Sequence, residues 1–197
     1  MKIRSTAGRT TIAAVLLVCL TLAGISLAAR NYGDVDHVHV DEIVDGDTFK
    51  VTVPDWPSII GDSIKVRVAG INCAELRAKL PDSLHLAQQA TEFTRSFLGQ
   101  AHEVSLRNIG RGGFFRIIAD VYVDGVNLGD TLVHVGLASR DPEHSETAGK
   151  DFVYASRTGA AYHRKDCPYL RKSTVIMTLT REDVADMGYV PCSHCKP

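Results

Sequence analysis

Apolar and polar residues alternate along the first two thirds of the chain, and changes in their period mark out the elements. From Val38 to Val53 the pattern reads as two strands around a tight turn at Asp45-Gly46-Asp47. Asp55 to Asp62, with Trp56, Pro57 and Gly61, reads as a loop. Ile64, Val66 and Val68 alternate with Lys65 and Arg67, which predicts a half-buried strand over 63–71. The period then lengthens. Leu86, Ala90, Phe93 and Phe97 keep helical spacing, and Asp82 or Ser83 can cap a helix running to about Leu98. Two further strands follow, over 103–107 and 115–123, the second closed by Asp124-Gly125. Asn127, with Asp130 three residues on, can cap a second helix to about Ala138. From Arg140 to Lys150 apolar residues almost vanish, which marks a linker.

Five short strands, with one helix after the third and one after the fifth, suit a small closed barrel of the OB type. The fold expected is therefore mainly β (α+β): a five-stranded OB-fold barrel with two to three helices, followed by a small C-terminal α/β module whose metal ligands are described below. The expected organisation is an N-terminal address at 1–29, a barrel at 36–140, a linker at 141–152 and the module at 153–197.

Composition changes this picture little. Apolar residues are 45% and charged residues 23% of 197, as in ordinary globular proteins, which excludes collagen-like and mostly disordered chains. Charge is more informative once divided. Residues 1–29 hold three basic residues and no acid; 30–149 hold 11 basic against 18 acidic; 150–197 hold 8 against 5. An acidic body is a poor general attractor of nucleic acid, so any such function must rest on local features. At the start, Lys2, Arg4 and Arg9 precede a 20-residue stretch without charge, Thr10 to Ala29. That is the signature of a secretory signal or an uncleaved anchor. Ser26-Leu27-Ala28 supplies small residues for cleavage, while the length just suffices to span a bilayer. Export is expected, to the periplasm or outside the cell, or with the chain anchored in the membrane through 10–29.

Three segments carry charge that a strand pattern does not need: Asp45-Gly46-Asp47-Thr48 at the turn, Arg67 to Glu75 where a strand enters a loop, and Arg116 followed by Ala119-Asp120-Val121-Tyr122-Val123-Asp124-Gly125. A phosphodiester repels hydroxide until its charge is neutralised. Arginine does this well because its planar fork pairs two phosphate oxygens and never deprotonates. Hard cations take carboxylate, amide and carbonyl oxygens. In this order and spacing, the three segments resemble the staphylococcal nuclease (thermonuclease) family over about 38–140. The resemblance implies an OB barrel and calcium-dependent hydrolysis of DNA and RNA without sugar specificity. It implies that Asp47, Asn72 and the Cys73 carbonyl hold Ca2+, that Glu75 orients or deprotonates the attacking water, and that Arg67 and Arg116 clamp the phosphate. Phe114 lies where the family can place an aromatic near the substrate. Two positions depart from the family pattern. Asn72 replaces a carboxylate by a neutral amide, and Ala74 stands where proline is usual. The first predicts weaker calcium binding and the second a looser hold on Glu75.

Beyond the linker, His163-x3-Cys167 and Cys192-x2-Cys195 are separated by 24 residues. Thiolates with an imidazole in two close pairs suit tetrahedral zinc. Between them Thr180 can cap a short helix with Asp183, and Gly188 can end it. The pattern is similar to the zinc module of the Ada DNA-repair protein. Because His163 stands in place of that module's first cysteine, methyl transfer is not carried over. A disulfide framework is the alternative, since export favours oxidation. Arg164, Lys165, Arg171 and Lys172, interleaved with Tyr162 and Tyr169, could track a phosphate backbone and stack bases, or form a solvated basic face.

The function expected is a monomeric nuclease acting on DNA and/or RNA, preferentially single-stranded. The alternatives are a non-catalytic nucleic-acid-binding OB protein whose Asn72 and Ala74 mark a decayed site, and a structural protein of the cell envelope.

Overall fold

The five expected strands are all present, and they pair into one curled sheet. The computed structural model describes residues 31–113, 115–142 and 151–197. The stretch 10–29, Phe114 and most of the expected linker lie outside them. Strands β1 (His39–Asp45), β2 (Thr48–Thr52) and β3 (Ile64–Val68) form an antiparallel meander. A short helix, α1 (Ser58–Gly61), lies in the β2–β3 connection, where only a loop is expected. After β3 come β4 (Ile71–Cys73), α2 (Pro81–Gly99), β5 (Val104–Arg111) and β6 (Arg116–Val123). The sheet order is β1-β2-β3-β6-β5, with β3 and β6 parallel and a two-residue β7 (Val126–Asn127) folded back on β6. A parallel pair needs a long crossover, and the connection through α2 and β5 provides it. The segment before β1 runs beside β5: Tyr32 N–H donates to Ile109 O at 2.7 Å, and Val35 and Leu106 exchange two bonds of 2.8 Å. The chain then enters β1, so the sheet curls back on itself as an OB-type barrel.

Alternation along the strands fills the interior. Phe49, Val51, Val66, Val68, Leu106, Ala119 and Val121 are buried, each large side chain contributing roughly 1.5–3 kcal/mol by burial. Helix α2 packs on this body by the expected face, with small residues at its centre and Phe93 and Phe97 partly buried at its margin. Leu86, Ala87, Ala90, Thr91, Thr94 and Leu98 are buried, while Phe93 and Phe97 stack on each other at 5.6 Å, partly exposed. The reason is a close approach described below, which only small residues permit. The helix opens with Pro81 and has no side-chain cap. Pro suits that position because its missing N–H has no partner there anyway.

Helix α3 (Leu128–His134) starts as expected, the Asn127 side chain accepting from Asp130 N–H at 3.0 Å. It ends earlier than its pattern suggests. Gly136 takes φ +72°, which turns the chain out of the helix. Ala138–Arg140 becomes β8, antiparallel to β4. Both strands are three residues long, too short for periodicity to reveal.

The remaining chain forms a four-stranded sheet in the order β11-β9-β10-β12, from β9 (Phe152–Ser156), β10 (Ala161–His163), β11 (Ile176–Thr180) and β12 (Val190–Pro191). Helix α4 (Arg181–Asp186) has the expected capping box, Thr180 and Asp183 each satisfying the other's backbone N–H. Asn31–Pro197 is one compact unit. Leu137 and Ala138 share an apolar cluster with Val153, Ala155, Met177, Leu179 and Val184, so barrel and tail are packed through one core. Among the described residues no helix is long and apolar enough to cross a membrane.

Candidate functional site

The turn Asp45–Thr48 joins β1 to β2 and buries its second aspartate. Asp47 is 3% exposed. Each of its oxygens is engaged: Oδ1 accepts from Thr48 Oγ1 at 2.9 Å and Arg67 Nη1 at 2.8 Å, and Oδ2 accepts from the Cys73 N–H at 2.9 Å. Burial raises the Asp47 pKa, opposed by the Arg67 charge and the Cys73 N–H. A carboxylate so placed stays ionised only through its partners. Burial also pushes the Cys73 thiol up, with Asp47 and Asp45 adding to the effect, so the thiol stays neutral.

Arg67, on β3, bridges that turn and β4. Its Nη1 holds Asp47, and its Nη2 donates to Asn72 Oδ1 on β4. Arg116 lies on the neighbouring strand β6. In the parallel register Lys65 faces Arg116 and Arg67 faces Ile118. Arg67 and Arg116 are thus one step apart on the same sheet face. Arg116 Nε is buried with no hydrogen-bond partner among the described residues. A buried cationic donor without an acceptor is a place where an anion can bind. Glu75, two residues beyond Cys73, is exposed at the start of a turn closed by Ala78 N–H to Glu75 O at 3.0 Å.

The structure therefore brings together Asp47, Arg67, Asn72 and the Cys73 backbone, sets Arg116 beside them, and leaves Glu75 nearby in solvent. For a hard cation the donor chemistry fits. A carboxylate oxygen and an amide oxygen already converge on one positive charge, that of Arg67.

Three contributors were missed in the sequence. Thr94 Oγ1 on α2 donates to Gly46 O at 2.7 Å, fixing the turn from behind. Gly46 itself has no room for a side chain: a Cβ there would lie 2.6 Å from Ala90 Cβ and 3.0 Å from Cys73 Sγ. Ala90 is thus small for a reason that its helical period conceals. A buried threonine on an otherwise apolar face was the available signal for Thr94.

In the tail, the ligand atoms of His163, Cys167, Cys192 and Cys195 lie within 4.8 Å of one another. Tetrahedral zinc, with Zn–S of about 2.3 Å, sets neighbouring sulfurs roughly 3.8 Å apart. His163 Nδ1 is buried without a hydrogen-bond partner among the described residues, as a nitrogen free for a metal is. Backbone N–H groups of Cys195 and His194 point at Cys192 and lower its pKa, whereas burial and the neighbouring thiols raise that of Cys195, as expected of thiols crowded together without a cation between them. Cys167 is gathered with these three and not with Cys73, and all four thiols are free. These residues fit a zinc site. Arg164, Lys165, Arg171 and Lys172 are exposed around it. Arg164 Nη2 is already bonded to Lys196 O at 2.8 Å, and Tyr169 meets the His194 ring edge-on at 5.2 Å. Phe114 lies outside the described residues.

Residues 65–166 match the family model described as staphylococcal nuclease homologue, which covers more than half of the 197 residues. The chain belongs to the staphylococcal nuclease family. Membership supports a nuclease-type hydrolase with a nucleic acid substrate. The matched span begins at Lys65, so the Asp45–Thr48 turn lies before it. Residues 137–197 match the metal binding domain of Ada, overlapping the end of the nuclease match and containing all four zinc-type ligands. No curated protein matches the chain.

Proposed function

We propose that this protein is a calcium-dependent nuclease that hydrolyses DNA and/or RNA, preferentially single-stranded, without sugar specificity. The observation that carries the reading is the convergence of Asp47, Arg67 and Asn72, with Arg116 on the same face and its Nε unpartnered.

In this reading Asp47, Asn72 and the Cys73 carbonyl hold Ca2+, which when bound supplies charge neutralisation and orients water. Arg67 and Arg116 grip the non-bridging oxygens of the scissile phosphate from two adjacent strands. Donors placed where charge grows typically lower the barrier by about 2.7–4 kcal/mol each. Glu75 accepts the proton of the attacking water at its carboxylate. All these contacts are to phosphate, so sequence preference is weak. The exposed Arg164, Lys165, Arg171 and Lys172 extend the path of the nucleic acid backbone, and the zinc holds that module in shape. Residues 1–29 export the chain or anchor it, placing the activity outside the cytoplasm.

The test is cleavage of labelled single-stranded DNA with calcium, with calcium plus excess EGTA, and by Glu75→Gln in calcium. Cleavage is expected only from the native protein with calcium, Glu75→Gln losing about 10²–10⁴-fold while still binding. Binding without cleavage, equal in native and Glu75→Gln protein, would instead support a non-catalytic binding module.

A further inference from the structure

Beside the candidate phosphate site lies a groove of about 940 Å³, bounded by the β2–β3 connection, the β5–β6 connection and the segment before β1. Arg116 lines it, so the groove and the phosphate site share a side chain. Three aromatic rings stand around it: Phe115 is 93% exposed, Tyr32 is exposed, and Trp56 is partly buried against the core. Ile59, also 93% exposed, extends the apolar edge. Contiguous apolar surface of this kind marks an interaction site. The loops that display it are built. Val53 N–H donates to Gly61 O at 2.9 Å and Trp56 N–H to Val53 O at 3.1 Å in one, and Gly112 N–H to Arg116 O at 2.8 Å in the other. Phe115 takes φ +55°, a left-handed backbone that a bulky side chain rarely adopts. The turn is thus strained at the residue that holds an aromatic ring in solvent, and strain of this kind clusters at functional sites.

Three observations name the occupant. The charges lining the groove are Lys65, Arg111 and Arg116 against Asp62 alone, which favours an anion. Those cations also continue the phosphate site. Lys65 pairs in register with Arg116, and it stands two residues before Arg67 on the same face of β3. Two residues along a strand span about 6.7 Å, a spacing at which successive phosphates of an extended strand can each meet a cation. Finally, an occupant unrelated to the substrate would cover Arg116 and stop turnover while it stayed. The substrate strand itself meets all three conditions. Its backbone is anionic, and aromatic rings stack its bases whatever their identity. A duplex keeps its bases stacked on one another, so only an unpaired strand can use these rings.

We infer that this groove seats the bases of the nucleic acid strand on one side of the scissile phosphate. Phe115 and Trp56 supply the stacking faces, Ile59 packs against the edge of the seated nucleotides, and Lys65 holds the adjoining phosphate. Because stacking reads no base edge, the groove adds affinity without sequence preference. It also gives a preference for single strands a physical origin. The inference rests on the nuclease reading in one respect, that Arg116 holds the scissile phosphate.

Trp56 is the single tryptophan of the chain, so its fluorescence reports on the groove. The full-length protein in EGTA is titrated at one salt concentration with a short oligothymidylate and with an abasic oligomer of the same length, which carries the same phosphates without bases. The thymidylate is expected to quench Trp56 and to bind more tightly than the abasic oligomer. The exposed double variant Ile59→Ser, Phe115→Ser should lose roughly 5- to 150-fold in thymidylate affinity, the range for one stacked base. It should bind the abasic oligomer and zinc as the native protein does. Lys65→Gln should weaken both oligomers by the same factor, as loss of a phosphate contact does. Equal native affinity for the two oligomers without quenching would overturn the inference. So would unchanged thymidylate affinity in the double variant, or quenching by vesicles of anionic phospholipid and not by thymidylate. Cleavage in calcium is scored separately. Cleavage without base-dependent quenching sinks the groove and keeps the nuclease, whereas base-dependent quenching without cleavage keeps the groove as a base-binding site and sinks the nuclease.

Discussion

Arg140 on β8 grips Asp183 on α4 with two parallel hydrogen bonds, Nε to Oδ2 at 3.0 Å and Nη2 to Oδ1 at 2.6 Å. This fork-to-carboxylate pair ties the barrel to the zinc-site sheet across 43 residues of sequence. Both partners reach further. Arg140 Nη1 holds Asp130 Oδ1 at 2.7 Å, and Asp183 Oδ2 accepts from Thr180 N–H and Oγ1 at 2.8 Å each. Through the pairing of β8 with β4, the same strand supports Asn72 and Cys73. The zinc-site sheet and the candidate calcium ligands are thus braced by one strand.

Removing Arg140 leaves the Asp183 carboxylate, 11% exposed, without its counter-charge and held by the Thr180 cap alone. Arg140→Ala is expected to destabilise the protein by roughly 3–5 kcal/mol, measured by urea unfolding. A double-mutant cycle with Asp183→Asn should show strong coupling. Burial opposes the Asp183 charge, but Arg140 and the Thr180 cap outweigh it and lower the pKa. A carboxylate with a depressed folded pKa contributes stability above its unfolded pKa of about 3.9 and loses it as pH falls through the folded value. Native stability should therefore fall on acidification below about pH 4, and less steeply in Asp183→Asn.

The turn that presents Asp47 depends on contacts behind it. Thr94→Val deletes the hydrogen bond to Gly46 O and leaves that carbonyl buried without it, a cost of about 1–3 kcal/mol. Gly46→Ala drives a methyl into Ala90 and should cost roughly 1–3 kcal/mol. Both should reduce nuclease activity under conditions where the proteins remain folded, because a misplaced Asp47 misplaces its ligand. Unfolding curves alongside cleavage rates check both.

Asn72 gives the proposed calcium ligands one formal negative charge fewer than a carboxylate would. Asn72→Asp should lower the calcium concentration needed for half-maximal cleavage, because a carboxylate binds a hard cation more tightly than an amide. It should also tighten the contact with Arg67. A calcium titration of activity in both proteins reads the shift directly.

The zinc-site sheet has little core of its own beyond Cys167, Leu170 and Cys192. Cys192→Ser is expected to lose the bound zinc by elemental analysis and to lower the unfolding temperature, since metal binding free energy adds to folding free energy. Native protein treated with a strong chelator should behave the same way.

The sequence by itself determined the elements whose signal is local. Alternation at Val66 and Val68 predicts a buried strand face, Asn127 and Thr180 announce helix starts through their own side chains, and the Cys192–Cys195 spacing brings two thiols together within one turn. Such features depend on residues close along the chain, so their pattern survives in one dimension. Tertiary structure decided what depends on distant partners. The strand at Ala138–Arg140 exists because β4 lies beside it, and its period is too short to read. Helix α2 buries Ala90 and Thr94 most deeply and leaves Phe93 and Phe97 at the margin of the core, because Gly46 packs against it from 44 residues away. The Arg140–Asp183 pair, which links the two halves, has no trace in the sequence, where Asp183 reads only as a helix-capping residue and Arg140 as the start of a linker. The interaction energy of each of these contacts depends on a separation in space that the order of residues does not record.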